Sequence, residues 1–295
     1  MTRRDLVSWT AMLSGYSQEG DHGLEAIWAF VEMTREGMKL DHVSFVSAVS
    51  ACGHERTLEL GRQIPCLAIK PGYGQHVSVC NVLISTYFKC EFIEDAKLVF
   101  RIMNDRNVGS WTTMISVNEE CAMSLFNDMR LNGIYPNGVT FIGLIHALSS
   151  GILVKEGQTV HGFCMKTSFL PEPNVCISLI TMYAKFKTMQ DSLKIFEKLN
   201  YREIISWHAL ISGYAQNGLS QEALRTFLSA IIESKPNQYT YVSVLSAISA
   251  AEDISLRHGQ RCHSYLKKLR LDTDPIVSGA LLDMYAKRGS ICESQ

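Results

Sequence analysis

Apolar residues recur at helical spacing along most of the chain. In residues 77–107, Val82, Leu83, Ile84 and Tyr87 mark one helix. Ala96, Val99, Phe100 and Met103 mark a second, on an i, i+3, i+4, i+7 face. Glu94 and Asp95 fall in the first turn of that second helix, where acidic groups suit the helix dipole. In residues 204–237, Gly218 is expected to end a first helix and Ser220 to cap a second. Glycine or proline closes many such pairs: Gly37, Gly72, the run Gly133-Ile134-Tyr135-Pro136, Pro171 and Pro236. The pattern predicts pairs of short helices joined by tight turns.

The pairs repeat. Trp9, Trp111 and Trp207 share one context, Val7-Ser8-Trp9, Gly109-Ser110-Trp111 and Ile205-Ser206-Trp207. A second signature is Leu83-Ile84 with Tyr87, Leu179-Ile180 with Tyr183, and Leu281-Leu282 with Tyr285. A third is Gly61-Arg62-Gln63, Gly157-Gln158 and Gly259-Gln260. All three return after 96 or 102 residues. Each long period divides into three repeats: 6–41, 42–76 and 77–107; 108–137, 138–172 and 173–203; then 204–237, 238–274 and 275–295. Residues 1–5 read as the end of a preceding repeat, and 108–137 lacks about five residues between its two helices, so that helix pair must be shortened or the stack must bend. A hairpin of roughly 35 residues cannot bury its apolar face alone, whereas stacked neighbours can. The expected fold is all-α, one continuous right-handed α-solenoid of about nine helix–turn–helix repeats.

Composition narrows the chemistry. The chain has 295 residues, 46% of them hydrophobic, which is globular rather than disordered. No run of 18 apolar residues occurs, so no membrane partner is expected. The net charge of −1 argues against binding driven mainly by phosphate contacts. The nine cysteines contain no C-x-x-C pair and point to a reducing compartment without disulfides. Cys52-Gly53-His54 and Cys262-His263 lack further ligands, so no metal site is expected. His161 and His263 share a register, which suggests a repeated hydrogen bond to the backbone. No Walker loop, G-x-G-x-x-G, G-x-S-x-G or paired-carboxylate motif occurs. The expectation is no catalytic residue, no cofactor and no small-molecule substrate.

The motifs resemble the plant pentatricopeptide repeats of the PLS class. That class cycles through three variants of about 35, 35 and 31 residues. Its P-type opening resembles Val7 to Gly20 and Ile205 to Gly218; its L-type opening resembles Val43-Ser44-Phe45, Val139-Thr140-Phe141 and Tyr239-Thr240-Tyr241; its S-type opening resembles Asn81 to Cys90. The resemblance covers essentially the whole chain. It also implies a fragment, because Thr2 to Asp5 resemble the end of an S-type repeat and Gln295 falls midway through another.

The resemblance implies a single-stranded RNA partner, read one base per repeat by the fifth and last residues. Those pairs are Thr10 with Asp41, Asn81 with Asn107, Thr112 with Asn137, and His208 with Asn237. By the family's preferences Thr/Asp favours G, Asn/Asn a pyrimidine (C over U) and Thr/Asn A. With the N-terminus toward the RNA 5′ end, the first four repeats read G, unread, pyrimidine, A. His208 departs from the usual Asn or Thr; Ile177, paired with Glu203, and Gly279 cannot read a base edge; Val46, Ile142 and Val242 resemble the weak L-type readout. The implied role is site recognition in organellar RNA processing and C-to-U editing. The location would be the mitochondrion, with the chloroplast as the alternative, and the targeting peptide is not present in this chain. The zinc-deaminase motif H-x-E with P-C-x-x-C is absent, so a deaminase or editing-complex protein would be a partner. Two other readings stay open: a protein-binding α-solenoid, and a non-functional fragment. The same Thr and Asn residues also suit ordinary helix caps and turns, and the three tryptophans read as core between repeats.

Overall fold

The computed structural model describes residues 6–19, 22–55, 75–150, 152–167, 169–170, 172–251 and 254–288. Thr2 to Asp5, Gly61, Gly72 and Pro171 lie outside the described residues. Among the described residues there are sixteen helices and no strand. First helices of the repeats are α1 (Leu6–Glu19), α3 (His42–Glu55), α4 (Val77–Lys89), α6 (Val108–Val117), α8 (Gly138–Ser150), α10 (Pro173–Lys185), α12 (Ile204–Gln216), α14 (Gln238–Ala250) and α16 (Pro275–Lys287). Second helices are α2 (Gly23–Arg35), α5 (Ile93–Ile102), α7 (Ala122–Leu131), α9 (Val154–Lys166), α11 (Met189–Glu197), α13 (Ser220–Glu233) and α15 (Leu256–Leu269). The chain divides into two compact units, Met1–Ala147 and Leu148–Gln295.

In each unit a first helix packs on its own second helix and on the first helix of the next repeat. The first unit shows α1 on α2 and α3, α3 on α4, and α4 on α5 and α6. The second shows α10 on α11 and α12, α12 on α13 and α14, and α14 on α15 and α16. Apolar stripes at helical spacing dictate this arrangement: Leu83, Ile84 and Tyr87 of the second signature are buried, as are Leu179, Ile180 and Tyr183. The pair in 108–137 is shortened: α6 and α7 have 10 residues each, against 13 in α12 and 14 in α13.

Each kind of junction between repeats has its own packing device, and this explains the long period. At the first-to-second junction two buried aromatic rings meet: Phe30 and Phe45 at 5.4 Å, Phe126 and Phe141 at 5.6 Å, Phe227 and Tyr241 at 5.2 Å. At the third-to-first junction a tryptophan meets a phenylalanine edge-on, Trp111 on Phe100 at 4.9 Å and Trp207 on Phe196 at 4.7 Å. Arg106 and Arg202 stack over those same phenylalanines, at 4.8 and 5.1 Å. Trp9, Trp111 and Trp207 are buried core. At the second-to-third junction a glycine brings helices together. A Cβ on Gly157 would lie 2.6 Å from the Phe186 ring, and one on Gly259 2.6 Å from Met284 Sδ.

Turn chemistry follows the sequence with one exception. Gly218, at φ +72°, ends α12 in the left-handed region that suits glycine. Ser220 does not cap α13. Leu219 is the N-cap, without a side-chain bond, and Ser220 is the first helical residue, with its side chain buried. The tight turn after Gly218 brings the helix in one residue early, and packing against neighbouring helices replaces the missing cap.

Candidate nucleic-acid interface

The last residue of a repeat stands immediately before the next first helix, where four backbone N–H groups have no helical acceptor. Asp41, Asn107, Asn137 and Asn237 all serve as caps there. The Oδ1 of Asp41 accepts the Ser44 backbone N–H at 2.8 Å and the Ser44 hydroxyl at 2.7 Å. Asn107 accepts from Ser110 N and Oγ at 3.0 and 3.1 Å. Asn137 accepts from Thr140 N and Oγ1 at 2.9 and 3.0 Å. Asn237 accepts from Thr240 N and Oγ1 at 3.0 and 2.9 Å. A backbone N–H can bond only to the amide oxygen, so each asparagine orientation is fixed. The four hydroxyl residues are fully buried, while the capping side chains reach solvent.

The fifth residues lie on the preceding first helix, beside these caps. Thr10 Oγ1 is 3.2 Å from Ser44 Oγ, and Thr112 Oγ1 is 2.8 Å from Thr140 Oγ1. The structure therefore brings Thr10 together with Asp41, and Thr112 with Asn137, through one shared hydroxyl each. Asn81 and Asn107 meet differently, across Gly109. A Cβ there would lie 3.1 Å from Asn107 Oδ1 and 3.3 Å from Asn81 Nδ2. Asn81 Oδ1 is buried with no hydrogen-bond partner. His208 neighbours Tyr239, ring to ring at 6.4 Å, and its Nδ1 has no partner. Burial pushes the His208 imidazole below its ordinary value, so it is a neutral ring at neutral pH. Glu203, paired by register with Ile177, makes no side-chain cap; Ser206 donates to its backbone carbonyl instead.

Asp41 is held ionised. Burial works to raise its carboxyl, but the Ser44 N–H, the Ser44 hydroxyl and the His42 charge together keep it below the ordinary 3.8.

One feature of the surface escapes the sequence pattern of matched pairs. The second residue of most first helices is an exposed apolar side chain: Val7, Val43 and Val139 in the first unit, and Ile205, Tyr239 and Ile276 in the second. Each of Val43, Val139 and Tyr239 lies between a capping residue and its buried hydroxyl partner in sequence. The period is legible once the repeats are aligned, but an apolar residue in a helix reads first as core. In 108–137 this place is Gly109.

Elsewhere the chemistry is structural. His161 and His263 do share a bond, though not to backbone: Nδ1 of each lies 2.9 Å from a tyrosine hydroxyl, Tyr183 and Tyr285 respectively. The tyrosine hydroxyl of the next first helix lies at the ring and takes the place of a backbone carbonyl. Burial pushes the thiols of Cys52, Cys164 and Cys262 up to about 12, which removes them as nucleophiles. Among the described residues no group of three or more His, Cys, Asp or Glu is placed to hold a metal ion. No helix there is long and apolar enough to cross a membrane. A shallow depression on α15, lined by Arg257, Arg261, Tyr265 and Lys268, contains none of the eight paired residues.

The sequence matches the PPR repeat family over residues 7–38, 78–108 and 205–230, in phase with the first helices described above. It is 55% identical to a mitochondrial pentatricopeptide repeat-containing protein of Arabidopsis thaliana, over 100% of this chain and 39% of that protein. It is 34% identical to a chloroplastic one of the same plant, over 99% of this chain and 36% of that protein. The chain thus spans less than half the length of these relatives. Among solved structures it is similar to PPR10 in complex with an 18-nucleotide psaJ RNA element, with a TM-score of 0.71 and 16% identity, covering 99% of this chain and 44% of that one. The helix hairpins, the matched repeats in phase and the likeness along the whole of this chain make it a member of the PPR repeat family, with plant pentatricopeptide repeat proteins as its homologues.

Proposed function

We propose that the chain binds single-stranded RNA with base selectivity, each cap-and-fifth-residue pair reading one base. The observation that carries this is the division of labour within each capping side chain. One oxygen of Asp41 is committed inward, which leaves Oδ2 as an acceptor facing out. The same inward bond on Asn107 and Asn137 leaves Nδ2–H as a donor. An outward acceptor suits the N1–H of guanine, and an outward donor suits N1 of adenine or N3 of cytosine. Size then separates the last two. The short Thr112 leaves room for a purine, whereas the longer Asn81 leaves room for a pyrimidine. The unpartnered Asn81 Oδ1 accepts from the cytosine N4 amine and opposes the uracil carbonyl. The exposed apolar residues at the second position supply faces against which bases pack.

The three kinds of junction support assignment of the chain to the PLS class, and PPR10 in its RNA complex supports an RNA partner. Within that reading the chain is a site-recognition scaffold in organellar RNA processing and C-to-U editing, not itself an enzyme. A deaminase is supplied by another segment or a partner protein. The mitochondrial and chloroplastic names of the relatives both support an organelle, and the more similar one favours the mitochondrion.

The test is a gel-shift comparison of single-stranded RNAs carrying 5′-G-N-C-A-3′ with versions changed singly at G, C or A. Each change is expected to weaken binding by about 1–3 kcal/mol, roughly 5- to 150-fold. Equal affinity for all of them, or none, overturns the reading.

A further inference from the structure

We infer that the buried hydroxyls of Ser44 and Thr140 are positioning residues for base choice, each forcing its neighbouring threonine to present only lone pairs to the RNA. The inference rests on the base-reading function proposed above and assigns it two residues outside the fifth and last positions.

A hydroxyl has one hydrogen to donate. Thr140 Oγ1 gives its hydrogen to Asn137 Oδ1, an amide oxygen that can only accept, at 3.0 Å. Thr140 Oγ1 also lies 3.3 Å from the Asn137 backbone N–H, which can only donate to it. The 2.8 Å bond between Thr112 and Thr140 must then run from Thr112 to Thr140. Thr112 has no hydrogen left, so its outward face is an acceptor. The first repeat follows the same logic. Ser44 donates to the ionised Asp41 at 2.7 Å, so Thr10 donates to Ser44 at 3.2 Å and also faces out as an acceptor. Thr10 with Asp41 therefore offers two acceptors, matched to the adjacent N1–H and N2 amine of guanine. Thr112 with Asn137 offers an acceptor and a donor, matched to the N6 amine and N1 of adenine. The relay is confined to the threonine pairs. Ser110 and Thr240 spend their hydroxyls on Asn107 and Asn237, while Asn81 Oδ1 and His208 Nδ1 have no partner.

Thr140→Val tests this. Valine keeps the shape and leaves the Thr140 backbone N–H on its cap, but it frees the Thr112 hydrogen to donate to the O6 of guanine. The preference for A over G at the fourth base should fall about fivefold, the worth of one neutral hydrogen bond. The preference for G at the first base should stay unchanged. Thr140→Ser keeps the hydroxyl and should restore the ratio. In a Thr112→Val background the added Thr140→Val should change the ratio no further, because the relay acts through Thr112. Ser44→Ala provides the independent copy: it frees the Thr10 hydrogen to donate to the O2 of uracil, so the preference for G over U should fall similarly, at the first base only. If wild type discriminates bases but Thr140→Val and Ser44→Ala keep their ratios, or weaken all RNAs equally, the relay is overturned and the base reading stands. If wild type itself shows no base preference, both fall.

Discussion

Thr112 Oγ1 on α6 and Thr140 Oγ1 on α8 lie 2.8 Å apart, and the same Thr140 hydroxyl bonds the side chain of Asn137. From sequence, Asn137 invites two competing descriptions, an ordinary helix cap or a base reader. In the structure the two are compatible. An asparagine has two polar ends, and capping uses only one. Capping holds the other end in place, so helix formation and presentation of an outward donor come from one set of bonds.

Close packing at the second-to-third junctions sets the cost of adding a methyl group. Gly157→Ala would place a Cβ 2.6 Å from the Phe186 ring, with Met182 Sδ also at 2.9 Å. Gly259→Ala meets only the thioether end of Met284, at 2.6 and 2.8 Å, within 3 Å. A ring cannot swing aside as a thioether can. The gain of roughly 1 kcal/mol in helix propensity applies to both. We expect Gly157→Ala to destabilise by about 1–2 kcal/mol net and Gly259→Ala to be near neutral, read from urea midpoints. Equal effects would contradict the packing account.

The turns between first and second helices offer a gain instead. Lys187 sits at φ +61° and Glu91 at φ +65°, where Gly218 holds the equivalent turn at φ +72°. A side chain in that region costs about 1 kcal/mol relative to glycine. Lys187→Gly should therefore leave stability unchanged or raise it by up to about 1 kcal/mol, despite the greater freedom of glycine when unfolded. A clear loss in thermal melting would show that the Lys187 side chain contributes something the geometry does not reveal.

Stability should also fall in mild acid. Burial, helped by the Lys198 charge and opposed by Asp191, holds the His161 imidazole below its ordinary 6.5. Burial does the same to His208. The folded state keeps both rings neutral where the unfolded chain would protonate them. The stability this represents is fully present above pH 6.5 and is lost as pH falls through the lower folded values. His161→Gln, which retains a polar partner for Tyr183, should flatten the pH dependence between neutral and mildly acidic buffer. An unchanged slope in the double variant with His208→Asn would contradict it.

How much of this the sequence discloses depends on the range of each interaction. The helix pairs and the burial of Trp9, Trp111 and Trp207 follow from local apolar spacing, because every repeat must bury the same faces. Gly157 and Gly259 are visible as a recurring signature, but the reason for them lies on the next helix, in Phe186 and Met284. Ser220 shows the limit of local capping rules, since a tight turn moved the helix start ahead of it. The His161–Tyr183 and Thr10–Ser44 bonds join residues 22 and 34 positions apart. Nothing in a serine or threonine at the start of a helix announces such a partner. The eight paired positions come from family resemblance, and the hydrogen-bond directions at them come only from the structure.

In the proposed function the outward atom of the cap chooses the base. The most direct measurement is the reciprocal exchange Asp41→Asn and Asn137→Asp, assayed by RNA binding. Both residues cap helices about equally well, so folding should be little changed. Asp41→Asn turns the outward acceptor into a donor and should move the first-base preference from G toward A, while Asn137→Asp should move the fourth from A toward G. Each switch should be worth about 1–3 kcal/mol. Folded variants whose base preferences stay as in the wild type, or weaken without switching, would contradict the account.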